Sequence, residues 1–537
     1  MRPLVSAAMV FAALSVVAGQ TGAGGSVAFS VVEASIADLR RAMDDGRTTS
    51  RAITEQYLSR LQRYNETLRA AITLNPSALT DADTRDRERR QRRRRGPLHG
   101  IPIAVKDNIH TLDMPTTGGA LVFRNLRPPY EATLVRQLRE AGAIIIAKTT
   151  LTELANWVSP NMPTGYNAIL GYSSNPYNVA RTRRGRFEVP VQLPGGSSSG
   201  IGTSASLWAA SVGTETSGSI LNPSSETMLV GIKPTVGRIS RHGVIPISAD
   251  QDTPGPMART VADAATLLGA LELTSPDPAD EATRRCTPPR GGDYTRFLDT
   301  RALKGARLGI ARAAVSSRIG PGSALIDAAA AALRRAGAVV VDPADLPSLA
   351  TAYREKNLAD WPICFGTPSN SGCSIVLRYG MKRDFNRWLS SLKDAAPVRS
   401  LTELRTWNAA HEADGAIEFG QGQLDASDAI DLQRDVERYE RDRQKDLQLT
   451  RAEGIDAVLR THTLDAVVFP SYFGAAIGAR AGYPSIIVPF TAQQSTGGAP
   501  ASSGVTFTGL ACSEPRLIAL AYAFEQATRR RVAPRLD

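Results

Sequence analysis

Apolar positions along this chain change period in a regular way. Leu39 and Met43 recur at a helical interval behind Ser35-Ile36-Ala37-Asp38, which has the form of a capping box, and Gly46 supplies the stop. A second helix is predicted from near Ser50, with Ile53, Tyr57, Leu58 and Leu61 on one face. The charged stretch from Asp81 to Arg95 carries no such stripe and closes on the turn signal Gly96-Pro97. Ile101 to Val105 then forms a continuous apolar run of strand length that ends at Lys106.

Beyond this point helical stripes alternate with short β-branched runs: Ala132 to Gly142 before Ala143 to Ala147, and Ile326 to Gly337 before Ala338 to Val341. Leu464 to Phe469 is another strand-length run. Such alternation predicts an α/β fold, with a largely parallel or mixed sheet covered by helices. The region from about Asn357 to Leu459 differs, being charged and helical without clear strands, and reads as a helical insertion or cap. No internal repeat and no clean Pro/Gly linker interrupts the chain, so a single domain is expected over residues 30–537.

With 537 residues and 42% hydrophobic content the chain can bury a large core, and neither its Gly/Pro content nor its charge suits a disordered or fibrous protein. Arg2, the apolar run Leu4 to Val17 and the small pair Ala18-Gly19 together read as an export signal over residues 1–18. That run is short for a bilayer, so no stable membrane anchor is expected. The four cysteines suit an oxidising compartment. Cys364 and Cys373 are close enough to bridge, although four cysteines connect in several ways, and Cys512 reads as a small core residue. A net charge of +11 raises the question of nucleic acid, with Arg89 to Arg95 as the place to look. Asp81, Asp83, Asp86 and Glu88 precede that run and no aromatic residue interleaves with it, so a solvated helix or linker is the better reading.

Candidate chemistry begins with two segments of serine among glycine: Gly195-Gly196-Ser197-Ser198-Ser199-Gly200, and Gly213-Thr214-Glu215-Thr216-Ser217-Gly218-Ser219-Ile220. Glycine lets backbone N–H groups turn toward a developing oxyanion without side-chain obstruction. The first segment also satisfies G-x-S-x-G with Ser198 at its centre, a nucleophile elbow that would draw on His411 or His462 further along. Lys106 offers another route: an amine at the end of an apolar strand is desolvated, which favours its neutral form and fits it to act as a base toward a hydroxyl. Equally open is a lysine that snorkels or pairs with Asp107. The five histidines, at 99, 110, 242, 411 and 462, show no metal-ligand spacing, and no phosphate-binding loop of the Walker type is present, so no metal or cofactor is expected.

Taken in order, Pro97 to Ile109, Gly195 to Gly200, Gly213 to Ile220, Val230 to Arg238, Gly255 to Ala264, Gly482 to Pro489 and Leu517 to Thr528 resemble the amidase signature family, over nearly all of the chain from about residue 30. The resemblance implies a large mixed β-sheet covered on both faces by helices, and hydrolysis of a carboxamide in a small-molecule or peptide substrate through a Ser-cisSer-Lys triad and an acyl-enzyme. By motif position Ser219 would be the nucleophile, Ser197 the bridging serine behind a cis Gly196–Ser197 peptide, and Lys106 the base. The backbone amides of Thr216, Ser217, Gly218 and Ser219 would form the oxyanion hole.

Thr214-Glu215-Thr216, the triple serine and Ile245 to Thr253 are most similar to the peptide amidase branch. The amidotransferase A subunits that serve glutaminyl- and glutamyl-tRNA share the fold, but an exported chain would not meet aminoacyl-tRNA. Two departures from the family pattern stand out. Ser197 and Ser219 are about two residues closer than usual, which within a helix would rotate the succeeding segment by about 200°, so the difference must be absorbed in a loop. Arg183 to Gln192 looks like an insertion close to the substrate entrance, expected to narrow access or to add positive charge. A non-catalytic binding protein on the same fold is the reading that a broken site would favour.

Overall fold

The computed structural model describes residues 29–198, 200–316, 322–350, 357–368, 372–490 and 503–536; the export signal expected at 1–18 lies outside them. In the first helix, Ile36–Asp44, Ser35 Oγ accepts from the Asp38 amide while the Asp38 carboxylate takes the Ser35 amide, a closed capping box. Ser50–Leu68 comes next and buries Ile53, Tyr57 and Leu61. The charged stretch forms the helix Ala78–Arg90, and it is more than a solvated face. Buried Asp86 accepts from the amides of Ser50 and Arg51, placing a carboxylate on the N-terminus of the second helix. Arg89 and Arg94 pair with Asp44, and Arg95 with Glu88, so part of the basic run is neutralised within the fold.

Fifteen strands are described: β1 Ala71–Leu74, β2 Pro102–Lys106, β3 Ile144–Thr149, β4 Tyr166–Asn167, β5 Gly171–Tyr172, β6 Arg181–Arg184, β7 Phe187–Pro190, β8 Ala210–Glu215, β9 Val230–Lys233, β10 Thr253–Ala258, β11 Arg307–Ile310, β12 Val339–Val341, β13 Ala466–Pro470, β14 Ser485–Pro489 and β15 Gly504–Thr508. Eleven of them form one sheet in the order β1-β3-β2-β8-β10-β9-β14-β15-β13-β11-β12. It is mixed: β3, β2 and β8 run parallel, as do β13, β11 and β12, while the strands between them pair antiparallel. The central strands β2, β3, β8, β9, β10, β13, β14 and β15 are buried from end to end, which requires cover on both faces. Helices Val261–Leu271, Gly322–Arg335 and Glu514–Thr528 are among those that provide it.

Between β12 and β13 the described residues contribute no strand to the sheet. Helices Val376–Ser391, Leu401–Ala410 and Val436–Leu447 lie here, and Phe385 and Trp388 pack edge-on against Phe123 to build a second, smaller core. The insertion at Arg183 to Gln192 is a hairpin of β6 and β7. Its Phe187 stacks on Phe419 and packs against Tyr172, and its Arg186 pairs with Glu418, so it rests on the helical region.

Cys364 is bonded to Cys373, and Cys286 to Cys512. The second bond corrects the reading of Cys512 as a core residue. Cys512 sits in the loop before Glu514–Thr528, and its amide donates to Thr235 Oγ1, which brings it to Cys286 from 226 residues away.

Candidate active site

Lys106 is completely buried. Strand β2 runs parallel to β8 with Val105 opposite Val212, and this register carries Lys106 to Thr214. Its Nζ lies 2.8 Å from Ser197 Oγ, 2.9 Å from Thr214 Oγ1 and 3.2 Å from the Thr214 carbonyl. Burial pushes the ammonium down from 10.5 to about 7, while the carboxylates of Asp252 and Glu215 work against that shift. Asp107 takes no part. It lies in the turn after β2, where it pairs with buried Lys148 at 3.2 Å and accepts from Thr117.

Gly195 and Gly196 both have positive φ, +76° and +49°. A Cβ on Gly196 would stand 2.4 Å from Pro223 Cδ, so the turn needs glycine twice over. This turn delivers Ser197 to Lys106 with a trans Gly196–Ser197 peptide, correcting the cis bond that the family resemblance implies; among the described residues the cis peptide is Asp342–Pro343. Ser198 turns away from the site: its Oγ donates to the Thr214 carbonyl and accepts from the Thr214 amide. His411 stacks on Trp407, and the backbone carbonyl of His462 accepts from Arg307; neither histidine lines the cavity that holds Ser219. The elbow reading therefore fails for want of an accessible hydroxyl and a histidine beside it.

Between Ser197 and Ser219 the chain is compact. The helix after the first segment is only Ile201–Ser204, and a left-handed Ser206 (φ +53°) turns the chain before β8 begins at Ala210. Strand β8 then leads directly into Thr216-Ser217-Gly218-Ser219. Three groups anchor this loop. Glu215 accepts from the amides of Ile220 at 2.8 Å and Leu221 at 2.9 Å, and the Gly218 amide also favours its ionised form against a burial that raises its pKa. Thr216 Oγ1 donates to Asp252 at 2.5 Å, and Gln251 Nε2 donates to the Thr216 carbonyl. Asp252 also accepts from the amides of Ile247 and Ser248, and its pKa is pushed up to about 6 by burial.

Ser219 sits on the floor of a cavity of about 500 Å³ beside Gly196, Thr216, Ser217 and Gly218. Among the described residues its hydroxyl makes no hydrogen bond, to Ser197 or to any other group. The cavity walls carry Trp157, Ile363, Phe365, Leu377, Tyr472 and Phe473, so the helical region and the segment after β13 both contribute. Arg480, a neighbour of Asp446 at 3.7 Å, is the charged member of the lining among the described residues. Tyr166 packs on Tyr172 and Phe419 instead, and the β6–β7 hairpin does not reach the cavity, which corrects the expectation that it narrows the entrance. No group of three or more His, Cys, Asp or Glu among the described residues suits a metal ion.

Thr216, Ser217, Gly218 and Ser219 line the cavity together with Gly196, and Ser197, the residue after Gly196, is buried behind them against Lys106. Sequence reasoning brought Lys106, Ser197, Ser219 and the loop before Ser219 into one site. It passed over Asn108 and Thr214, whose signal is faint: one polar residue just past an apolar strand, and one inside another. Asn108 Nδ2 donates to Thr214 Oγ1 at 3.0 Å, beside the contact that Lys106 makes with the same oxygen.

The amidase family model matches residues 52–517 of the chain. A probable amidase of Arabidopsis thaliana is 38% identical over 518 residues, which cover 95% of this chain and 93% of that protein. The crystal structure of a peptide amidase from Stenotrophomonas maltophilia superposes with a TM-score of 0.82 at 40% identity, covering 94% of this chain and 99% of that one. An amidase family protein from Bacillus anthracis gives a TM-score of 0.80 at 32% identity over 94% of this chain and 93% of its own.

Proposed function

Because the chain belongs to the amidase family, whose members hydrolyse amides, we propose that Ser219, Ser197 and Lys106 carry that hydrolysis here through an acyl-enzyme. The observation that carries the proposal is the buried 2.8 Å bond from Lys106 to Ser197 at the edge of the cavity that exposes Ser219. With Lys106 neutral, Ser197 passes its proton to Nζ as it accepts the proton of Ser219, and Ser219 Oγ adds to the amide carbonyl. Catalytic hydrogen bonds commonly tighten only in the substrate complex, and the Ser197 to Ser219 bond is expected to close there.

The amides of Thr216, Ser217 and Ser219 are suited to hold the resulting oxyanion, with that of Gly218 shared with Glu215; one such donor is worth roughly 3–4 kcal/mol in the transition state. Collapse of the tetrahedral species breaks the C–N bond, and the proton held on Lys106 returns through Ser197 to the departing nitrogen. Water, deprotonated along the same path, then cleaves the ester of Ser219 and releases the carboxylate. The largely apolar walls suit an amide with an apolar or aromatic acyl part, such as a small-molecule or peptide amide. Two disulfides among the described residues support export to an oxidising compartment, in line with the leader read at residues 1–18. The reading is tested by assaying release of ammonia or amine from a panel of simple and peptide amides. Ser219→Ala and Lys106→Ala are expected to abolish release while leaving the melting temperature of the protein near that of the parent or above it. Full activity in either variant would overturn the proposal.

A further inference from the structure

The proposed reaction needs more than a neutral lysine: the free electron pair of Lys106 must face Ser197. Three oxygens lie within reach of Nζ, namely Ser197 Oγ, the Thr214 carbonyl and Thr214 Oγ1. The carbonyl can only accept, so it takes one N–H. Thr214 Oγ1 can either accept the second N–H or donate its own proton to the amine, because a hydroxyl does both. In the first case the free pair falls on Ser197. In the second it is spent on Thr214, and Ser197 has no base.

The surroundings of Thr214 decide between them. Its Oγ1 accepts from Asn108 Nδ2 at 3.0 Å, which leaves it one lone pair and its own proton to place, with Lys106 Nζ 2.9 Å away. Apart from Lys106 Nζ, that proton has no acceptor among the described residues, and Asn108 Oδ1 is buried without a partner. Both residues line a small internal cavity, shared with Thr216 and Asp252, of about 10 Å³. That is close to the least that holds one water, and its polar walls supply the two or more partners a water needs. A water held there would take the Thr214 proton and donate to Asn108 Oδ1 or toward Asp252. Reversing the Asn108 amide ends in the same place, since Oδ1 would then take the Thr214 proton directly.

We infer that Asn108, with the polar cavity beside it, keeps the hydroxyl proton of Thr214 away from Lys106 and thereby turns the free pair of the neutral amine onto Ser197. Asn108 and Thr214 are thus positioning residues that never touch the substrate. The inference rests on the proposed role of Lys106 as base, and its test is separable from that role.

Thr214→Val keeps the branched shape on β8 and removes the hydroxyl, leaving Lys106 with one acceptor fewer and a free pair that wanders. The expected loss in kcat is about 100-fold, within the usual contribution of a placed general base, with KM within about twofold of the parent. Thr214→Ser restores the hydroxyl and is expected to bring kcat back within about threefold. Asn108→Ala leaves every contact of Lys106 in place and is expected to lower kcat about 10-fold, again with KM held. A Thr214→Val enzyme that keeps kcat within about threefold, a serine variant as slow as the valine one, or an Asn108→Ala enzyme at parental kcat would each overturn the inference. If Lys106→Ala and Ser219→Ala are inactive while these variants are normal, the positioning role alone fails; if Lys106→Ala is active, the proposed function fails first.

Discussion

The most exacting consequence of burying Lys106 concerns the pH at which the enzyme works. An amine left at its ordinary value of 10.5 would be neutral in about one molecule in 3,000 at pH 7. At the value of about 7 that burial imposes, about half are neutral at pH 7, about a tenth at pH 6 and about nine-tenths at pH 8. Measured as kcat/KM, the rate is therefore expected to rise about tenfold per unit below pH 6, bend near 7 and level above 8. Asp252→Asn provides the internal control. The asparagine carbonyl still accepts from the amides of Ile247 and Ser248, and Thr216 can turn its hydroxyl from donor to acceptor, so the loop stays anchored. The variant loses the largest of the negative charges that favour the protonated lysine, so the bend moves to lower pH.

The assay is initial-rate hydrolysis of one amide from pH 5 to 10 at constant ionic strength. A bend near pH 4 to 5 would assign the base to a carboxylate, and a rate still climbing at pH 10 would mean that Lys106 is not desolvated. A bend that moves upward in Asp252→Asn would refute the electrostatic reasoning.

Three further outcomes rest on the same geometry. Lys106→Met removes a buried amine whose folded-state value lies below its unfolded one. The wild-type protein therefore gains stability as pH rises from about 7 to 10.5, and the methionine variant is expected to melt higher than wild type at pH 6.5, with the gap closing by pH 10 in scanning fluorimetry. Ser198→Ala is expected to cost about 1 kcal/mol of stability through its two bonds to the Thr214 backbone while leaving an active enzyme, and substitution of His411 or His462 is expected to leave the pH profile of hydrolysis unchanged. Breaking Cys286–Cys512 opens a loop of 226 residues, against 9 for Cys364–Cys373. On chain entropy the two are worth about 5 and about 3 kcal/mol, so Cys286→Ala/Cys512→Ala should melt lower than Cys364→Ala/Cys373→Ala.

Much of this fold is written in local pattern. The capping box at Ser35, the apolar run into Lys106 and the helices before β3 and β12 all depend on neighbours a few residues away, and they stand close to where the pattern puts them. Strand order is another matter. That β8 lies between β2 and β10 is decided by packing across the whole molecule, and this register alone brings Thr214 to Lys106. The same limit hid the partner of Asp107, which is a lysine from the neighbouring strand, and that of Cys512, which lies on a distant loop. Within the site the serines, the lysine and the loop before Ser219 stand out in the sequence because each lies inside a short local motif. The trans state of the Gly196–Ser197 peptide was not legible there.

The central claim is that Ser219 is the nucleophile, and covalent labelling tests it without knowledge of the natural substrate. Treated with a fluorophosphonate and mapped by mass spectrometry, the wild-type protein is expected to carry one adduct, on Ser219. The adduct should persist in Ser198→Ala and disappear in Ser219→Ala and Lys106→Ala. An adduct on Ser198, or labelling of Ser219 undiminished in Lys106→Ala, would contradict the account.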